Sequence, residues 1–218
     1  MEEIHSSLKF LLERKDELGL QVAGRNRSRR SERYTPVVAD ASDFCGREDI
    51  KETIIQSLRA AEVGGNKVSV IPVIGAGGIG KTTLVQIIYD HPQVKQLFGE
   101  VRAWITVSTE FDLPAIAKKI IRKFSSSSQI NGDEDQQELL EKMRDALTGK
   151  KFLLVLDDVW SEDRGKWNTL KSCFKSAESG SKIIVTTRSA KVASIMAPNQ
   201  QHHFLQELPE NDCLVLFA

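Results

Sequence analysis

Residues 75–82 read GAGGIGKT, which sets Gly75, Gly80, Lys81 and Thr82 in the spacing G-x-x-x-x-G-K-[ST]. Each residue type has a chemical reason to stand there. Glycines reach φ > 0 and let backbone N–H groups approach phosphate oxygens, a lysine four carbons long reaches the β- and γ-positions, and a threonine hydroxyl at a helix start can ligate Mg²⁺. The octet carries that meaning only between a strand and a helix. Upstream, KVSVIPVI (67–74) is a β-branched run of strand length, and downstream KTTLVQIIYDHPQV (81–94) shows helical spacing at Leu84, Ile87 and Ile88. The flanks therefore predict a phosphate-binding loop formed by Gly75, Ala76, Gly77, Gly78, Ile79, Gly80, Lys81, Thr82 and Thr83. Pro72 sits awkwardly inside the strand, because it has no N–H to give to a ladder.

A second pattern answers the first. In KFLLVLDDVW (151–160) four apolar residues, Leu153 to Leu156, deliver Asp157 and Asp158 at the strand's carboxyl end, the end where ligands of open α/β sheets bind. Asp157 is expected to hold Mg²⁺ opposite Thr82, and Asp158 to orient or deprotonate an attacking water. A third buried strand, KIIVTT, releases Arg188. Its forked donors suit a γ-phosphate if this strand neighbours the first, and a surface arginine at a strand end is the competing reading.

The rest of the chain gives the scaffold. Helices are expected over 49–61, 113–124 and 133–147, and further strands over 101–108 and 203–205. The alternation of strand and helix predicts an α/β fold on a parallel sheet. Polar breaks fall at Gly64-Gly65-Asn66 and between Ser125 and Gly132. Thirty basic and thirty acidic residues cancel, so no global charge points to nucleic acid or a membrane surface. Cys45, Cys173 and Cys213 lie far apart without C-x-x-C spacing, which argues against a disulfide framework or a zinc site and suits a reducing compartment. His5, His91, His202 and His203 show no metal spacing either. No apolar run approaches the roughly 18 residues of a membrane span, and the acidic start MEEIHSSLKF is unlike a secretory signal.

Ahead of this domain, Ile4, Leu8, Leu11 and Leu18 make a helical seam over residues 2–18. A coiled-coil remnant and a short helix packed on its own domain both fit that seam. GRNRSRRSERYTP follows, with Arg25, Arg27, Arg29, Arg30 and Arg33 in a stretch poor in apolar residues; it reads as a solvated linker. The expected division is 1–22, 23–42 and 43–218.

Six blocks in order, GREDIKETII (46–55), VIGAGGIGKTTLVQIIY (73–89), VRAWITVS (101–108), KFLLVLDDVW (151–160), GSKIIVTTRS (180–189) and ELPENDCLVLF (207–217), resemble the NB-ARC nucleotide-binding domains of plant intracellular disease-resistance receptors and their relatives among apoptotic-protease activators. Trp160 closing LDDVW is similar to the coiled-coil class of those receptors. The resemblance implies a P-loop NTPase fold, a five-stranded parallel sheet flanked by helices, with the Arg188 strand between the P-loop strand and the Asp157 strand. It also implies a cytoplasmic or nuclear ADP/ATP switch with Mg²⁺ and at most slow hydrolysis. Phe44, Cys45 and Arg47 would border the adenine, and the N-terminal helix would serve self-association or contact with other immune receptors. The sequence reaches Ala218 without the GLPLA, winged-helix and MHD segments or the leucine-rich repeats of that family, so a fragment is expected. A working ATPase or small-molecule kinase and a nucleotide-independent adaptor are the other functions weighed.

Overall fold

The central strands form where β-branched and leucine residues run together, and the helices form where apolar residues recur every three to four positions, four of them behind a side-chain cap. The computed structural model describes residues 46–60, 67–107, 110–125 and 134–208, all within the unit Val38–Ala218. The expected N-terminal helix, the basic linker, Phe44, Cys45, Cys213, the Gly64–Asn66 turn, residues 126–132 of the polar break and the closing segment from Pro209 lie outside the described residues. In chain order the elements are α1 (Glu48–Arg59), β1 (Val68–Ile74), α2 (Lys81–Asp90), α3 (Pro92–Phe98), β2 (Arg102–Thr106), α4 (Leu113–Phe124), α5 (Gln136–Leu147), β3 (Leu153–Asp157), α6 (Arg164–Cys173), a 3₁₀ turn (Phe174–Ser176), β4 (Ser181–Thr187), α7 (Ala190–Met196) and β5 (His203–Phe204).

Asp112, Asp135, Asp163 and Ser189 cap α4, α5, α6 and α7, each side chain accepting from a backbone N–H of the first turn. Such a cap contributes about 1 kcal/mol. It also moves one expected boundary. α5 begins at Gln136 rather than Asp133 because Asp135 is extended, with ψ at 167°. A second correction concerns the helix expected over 81–94. It breaks at His91, whose ψ is 136°, and restarts with Pro92 in the first turn of α3. A proline drives its predecessor out of the helical region and lacks the N–H that would continue the ladder.

All five strands are parallel, in the order β2-β3-β4-β1-β5. The β4 strand that releases Arg188 thus lies between the P-loop strand and the Asp157 strand. Both faces of the sheet are covered, so the central strands are apolar throughout and alternate residues serve opposite cores. Val70, Leu154, Leu156, Ile183 and Val185 meet the helices α4 to α7, while Ile71, Val73, Leu153, Val155 and Ile184 meet α1, α2 and α3. Cys173 is a free, buried thiol in the first of these cores.

Pro72 finds its explanation in the topology. On β1, Val70 N–H donates to Gln200 Oε1 at 2.6 Å and the Ile74 carbonyl accepts from Leu205 N–H at 2.7 Å, both on the β5 side. Alternation along the strand directs position 72 to that side too. β5 pairs only with Val73 and Ile74, so the missing N–H falls where no partner strand runs, while Pro72 still pairs in register with Val185 of β4.

Candidate functional site

The carboxyl ends of β1, β3 and β4 converge on one cluster of side chains. β1 leads straight into the glycine loop, whose first residue is held by Gly75 N–H donating to the Thr187 carbonyl of β4 at 3.3 Å. A Cβ at Gly75 would stand 2.9 Å from Ile79 Cγ2 and 3.1 Å from the Leu205 carbonyl oxygen, so only glycine fits that close approach. Gly80 has φ of +93° and closes the loop at the N-terminus of α2.

Lys81 is buried, 7% exposed, and its Nζ donates to the carbonyls of Gly75 at 2.9 Å and Ala76 at 2.7 Å. The ammonium therefore already lies inside the loop that would carry the phosphates. Burial holds its pKa below the ordinary lysine value, and the nearby Arg188 cation adds to that; Asp158 and Asp157 pull the other way. A cation crowded and desolvated in this way is poised for an anion.

Facing it, Asp157 is 4% exposed. One of its oxygens, Oδ1, accepts from Thr82 Oγ1 at 3.0 Å and from Thr186 Oγ1 at 2.6 Å. Burial raises the Asp157 pKa above the usual carboxylate range, against the lowering effect of the two threonine hydrogen bonds. Thr186 also accepts from Asp158 N–H at 2.8 Å, and the Thr186 carbonyl accepts from Val159 N–H at 2.9 Å. Asp158 takes φ of 60°, a left-handed backbone that aspartate tolerates better than most residues. The structure thus brings Thr82, Asp157 and Asp158 together with Lys81, as the sequence led one to expect. Thr186 and Thr187 were expected to leave the strand beside the loop with Arg188, but the bond from Thr186 to Asp157 was not foreseen; the polar TT pair ending an otherwise apolar strand was the available signal.

Oxygen donors of this kind suit Mg²⁺, a hard cation that takes one or two protein ligands and completes its shell with phosphate oxygens and water. Thr82 Oγ1 and Asp157 are the groups that would hold it. Among the described residues no cluster of three or more His, Cys, Asp or Glu could hold a metal by itself.

Two arginines complete the cluster. Arg188 lies over the loop: a Cβ on Gly77 would stand 2.6 Å from one of its guanidinium nitrogens. Arg47, only 8% exposed, donates through one nitrogen to the carbonyls of Ile79 at 2.9 Å and Gln206 at 3.0 Å. It ties the segment ahead of α1 to the loop and to the segment that follows β5, a duty that the expected place beside an adenine did not include. Arg47→Ala removes a charged donor from two carbonyls and is expected to lower unfolding free energy by about 1–3 kcal/mol; a denaturant titration showing an unchanged midpoint would refute the tie.

The model of the NB-ARC domain family matches residues 47–218. RPP13-like protein 1 of Arabidopsis thaliana is 40% identical over 183 residues, 84% of this chain and 17% of that protein. Disease resistance protein RGA2 of Solanum bulbocastanum is 34% identical over 219 residues, covering 100% of this chain and 22% of that protein. The chain thus spans less than a quarter of the length of these relatives. Among solved structures, the Aeropyrum pernix ORC1 protein in complex with DNA superposes with a TM-score of 0.59 at 15% identity, over 83% of this chain and 50% of that one. The Aeropyrum pernix ORC2 protein, solved as ADPNP–ADP complexes, gives 0.54 at 16% identity over 74% and 48%. At such identities the likeness is one of fold.

Proposed function

The chain belongs to the NB-ARC family, and from that premise we propose that it is an adenine-nucleotide switch of plant defence signalling, holding ADP at rest and ATP when active. The observation that carries this reading is the meeting of Thr82 and Thr186 on Asp157 Oδ1 beside the buried Lys81. Residues 75–83 would cradle the phosphates, and Lys81 would neutralise the β- and γ-oxygens. Bound Mg²⁺ would neutralise phosphate charge, held by Thr82 and Asp157. Arg188, above Gly77, would contact a terminal phosphate and so bind the two nucleotides unequally, and only such a difference can shift a conformational equilibrium. Phe44, Cys45 and Arg47 are proposed to border the base. That the nucleotide is an adenine one agrees with the ADPNP and ADP held by the ORC2 protein of similar fold. A cytoplasmic location, and contacts of the N-terminal helix with other copies or receptors, belong to the same proposal.

The test is chromatography of the nucleotide released by heating the purified chain. Near-stoichiometric ADP is the expected result; a folded chain carrying no nucleotide, and binding none when ADP or ATP is added with Mg²⁺, would overturn the reading. Asp158 favours a second activity, slow ATP hydrolysis. Its carboxylate leaves the same strand end as Asp157, and in this reading it would orient or deprotonate an attacking water. Turnover that Asp158→Ala abolishes while nucleotide binding persists would support that role.

A further inference from the structure

Trp160 is half in solvent, 42% exposed, one of two large apolar side chains left exposed among the described residues. Its surroundings suggest why an indole stands there. The backbone after β3 is stitched to β4, with Asp158 N–H on Thr186 Oγ1 and Val159 N–H on the Thr186 carbonyl. These bonds fix the segment leading to Trp160 beside the segment leading to Arg188. The Arg188 Cζ lies 4.6 Å from the centroid of the Trp160 ring. The same guanidinium approaches Gly77 so closely that a methyl group there would clash with it at 2.6 Å. Among the described residues Arg188 makes no ion pair, so the indole is the contact that fixes its place. A guanidinium resting on a ring face keeps its in-plane N–H donors free, and those are the donors that fork onto phosphate oxygens.

We propose that Trp160 is a positioning residue: a platform that stacks Arg188 over the mouth of the phosphate loop, so that its donors are aligned for a nucleoside triphosphate before one arrives. The inference rests on the nucleotide-switch reading above and adds a residue outside the loop to it. Without the platform, Arg188 must give up the freedom of its long side chain on binding, and the terminal phosphate is recognised less well. A diphosphate, lacking that group, depends less on the platform.

Affinities for ADP and for the slowly hydrolysed analogue ATPγS, measured with Mg²⁺ on the full chain and on Trp160→Ala, Arg188→Ala and the double variant, test this. Trp160→Ala is expected to weaken ATPγS binding about two- to fivefold, the range of an exposed cation–π contact, with a smaller change for ADP. Trp160→Phe should keep part of the effect, and the double variant should bind as Arg188→Ala alone, since the platform acts only through the arginine. The change in indole emission on adding ATPγS should be greatly reduced in Trp160→Phe. Losses that simply multiply in the double variant, or an unchanged ATPγS-to-ADP ratio in Trp160→Ala, would overturn the inference while leaving the switch standing. Absence of nucleotide binding by the unsubstituted chain would overturn both.

Discussion

Lys81→Ala is expected to lower nucleotide affinity about a hundredfold or more while the fold persists. The reasoning is one of asymmetry. In the native loop the ammonium is buried, and its charge is satisfied by the Gly75 and Ala76 carbonyls. Those two carbonyls remain near solvent in a half-open loop, so deletion of the lysine leaves no enclosed orphan there. Burial also works against the charged form of Lys81. A base whose folded-state pKa lies below its unfolded value costs stability wherever it is protonated in both states, that is, below the folded-state pKa. Removing it relieves that cost and loses two hydrogen bonds, so the net change in stability is small. Nucleotide binding has no such compensation. The phosphates would enter a low-dielectric loop without the one ammonium within it, and truncating one partner of a desolvated charge pair costs about 2–5 kcal/mol or more. Calorimetric titration with ADP, alongside a far-ultraviolet circular dichroism spectrum, checks both halves. Retained affinity would show that the phosphates do not meet Lys81.

How far the sequence alone leads depends on how local each determinant is. The loop GAGGIGKT and its two flanks were legible because every requirement lies within about one strand and one helix of chain. The position of Asp157 was legible for the same reason: a short apolar run with a charged pair behind it reads as a buried strand that delivers the pair at its end, and β3 is that strand. The order of the strands needed the family resemblance, since nothing in KIIVTTRS says which strand it pairs with, and the sheet agrees with that expectation. Pro72 could not be understood before β5 was seen to be two residues long and to start opposite Val73. The structural tie made by Arg47 was out of reach for a similar reason, because its acceptors Ile79 and Gln206 are 32 and 159 residues away. The break at His91 was within reach of the sequence, and the apolar spacing through Val94 hid it; Pro92 outweighs that spacing because it acts on the backbone itself.

Those same long-range contacts tie the charged groups of the site together. Thr186 Oγ1 donates to Asp157 and accepts from Asp158 N–H, so a single hydroxyl orients one carboxylate and sets the left-handed turn that aims the next. Backbone bonds from Gly75 to Thr187 and from Val159 to Thr186 lock the loop and the acidic turn to the same central strand. In the proposed switch, a change in the phosphates would act on one connected element, β4 and the arginine at its end.

Asp157→Asn separates the metal role from the structural one. Asparagine can accept both threonine hydroxyls through its Oδ1, so the network geometry is kept while the charge goes. The Mg²⁺-dependent gain in nucleotide affinity is expected to fall about ten- to a hundredfold. The nucleotide-free chain should behave in the opposite sense. Burial raises the Asp157 pKa above its unfolded value, so the folded form takes up its proton at a higher pH than the unfolded chain does. The native protein then bears the cost of the buried charge at all pH values above the folded-state pKa and recovers stability as pH falls through it. Asp157→Asn should accordingly melt no lower than the native chain at neutral pH, and the difference should shrink on acidification towards the ordinary carboxylate range. Melting curves across that pH interval, with calorimetric titrations of ADP with and without Mg²⁺, measure both effects. A variant whose Mg²⁺ dependence is intact would remove Asp157 from the metal site; one that melts well below the native chain at neutral pH would show that the carboxylate stabilises the sheet end by its charge.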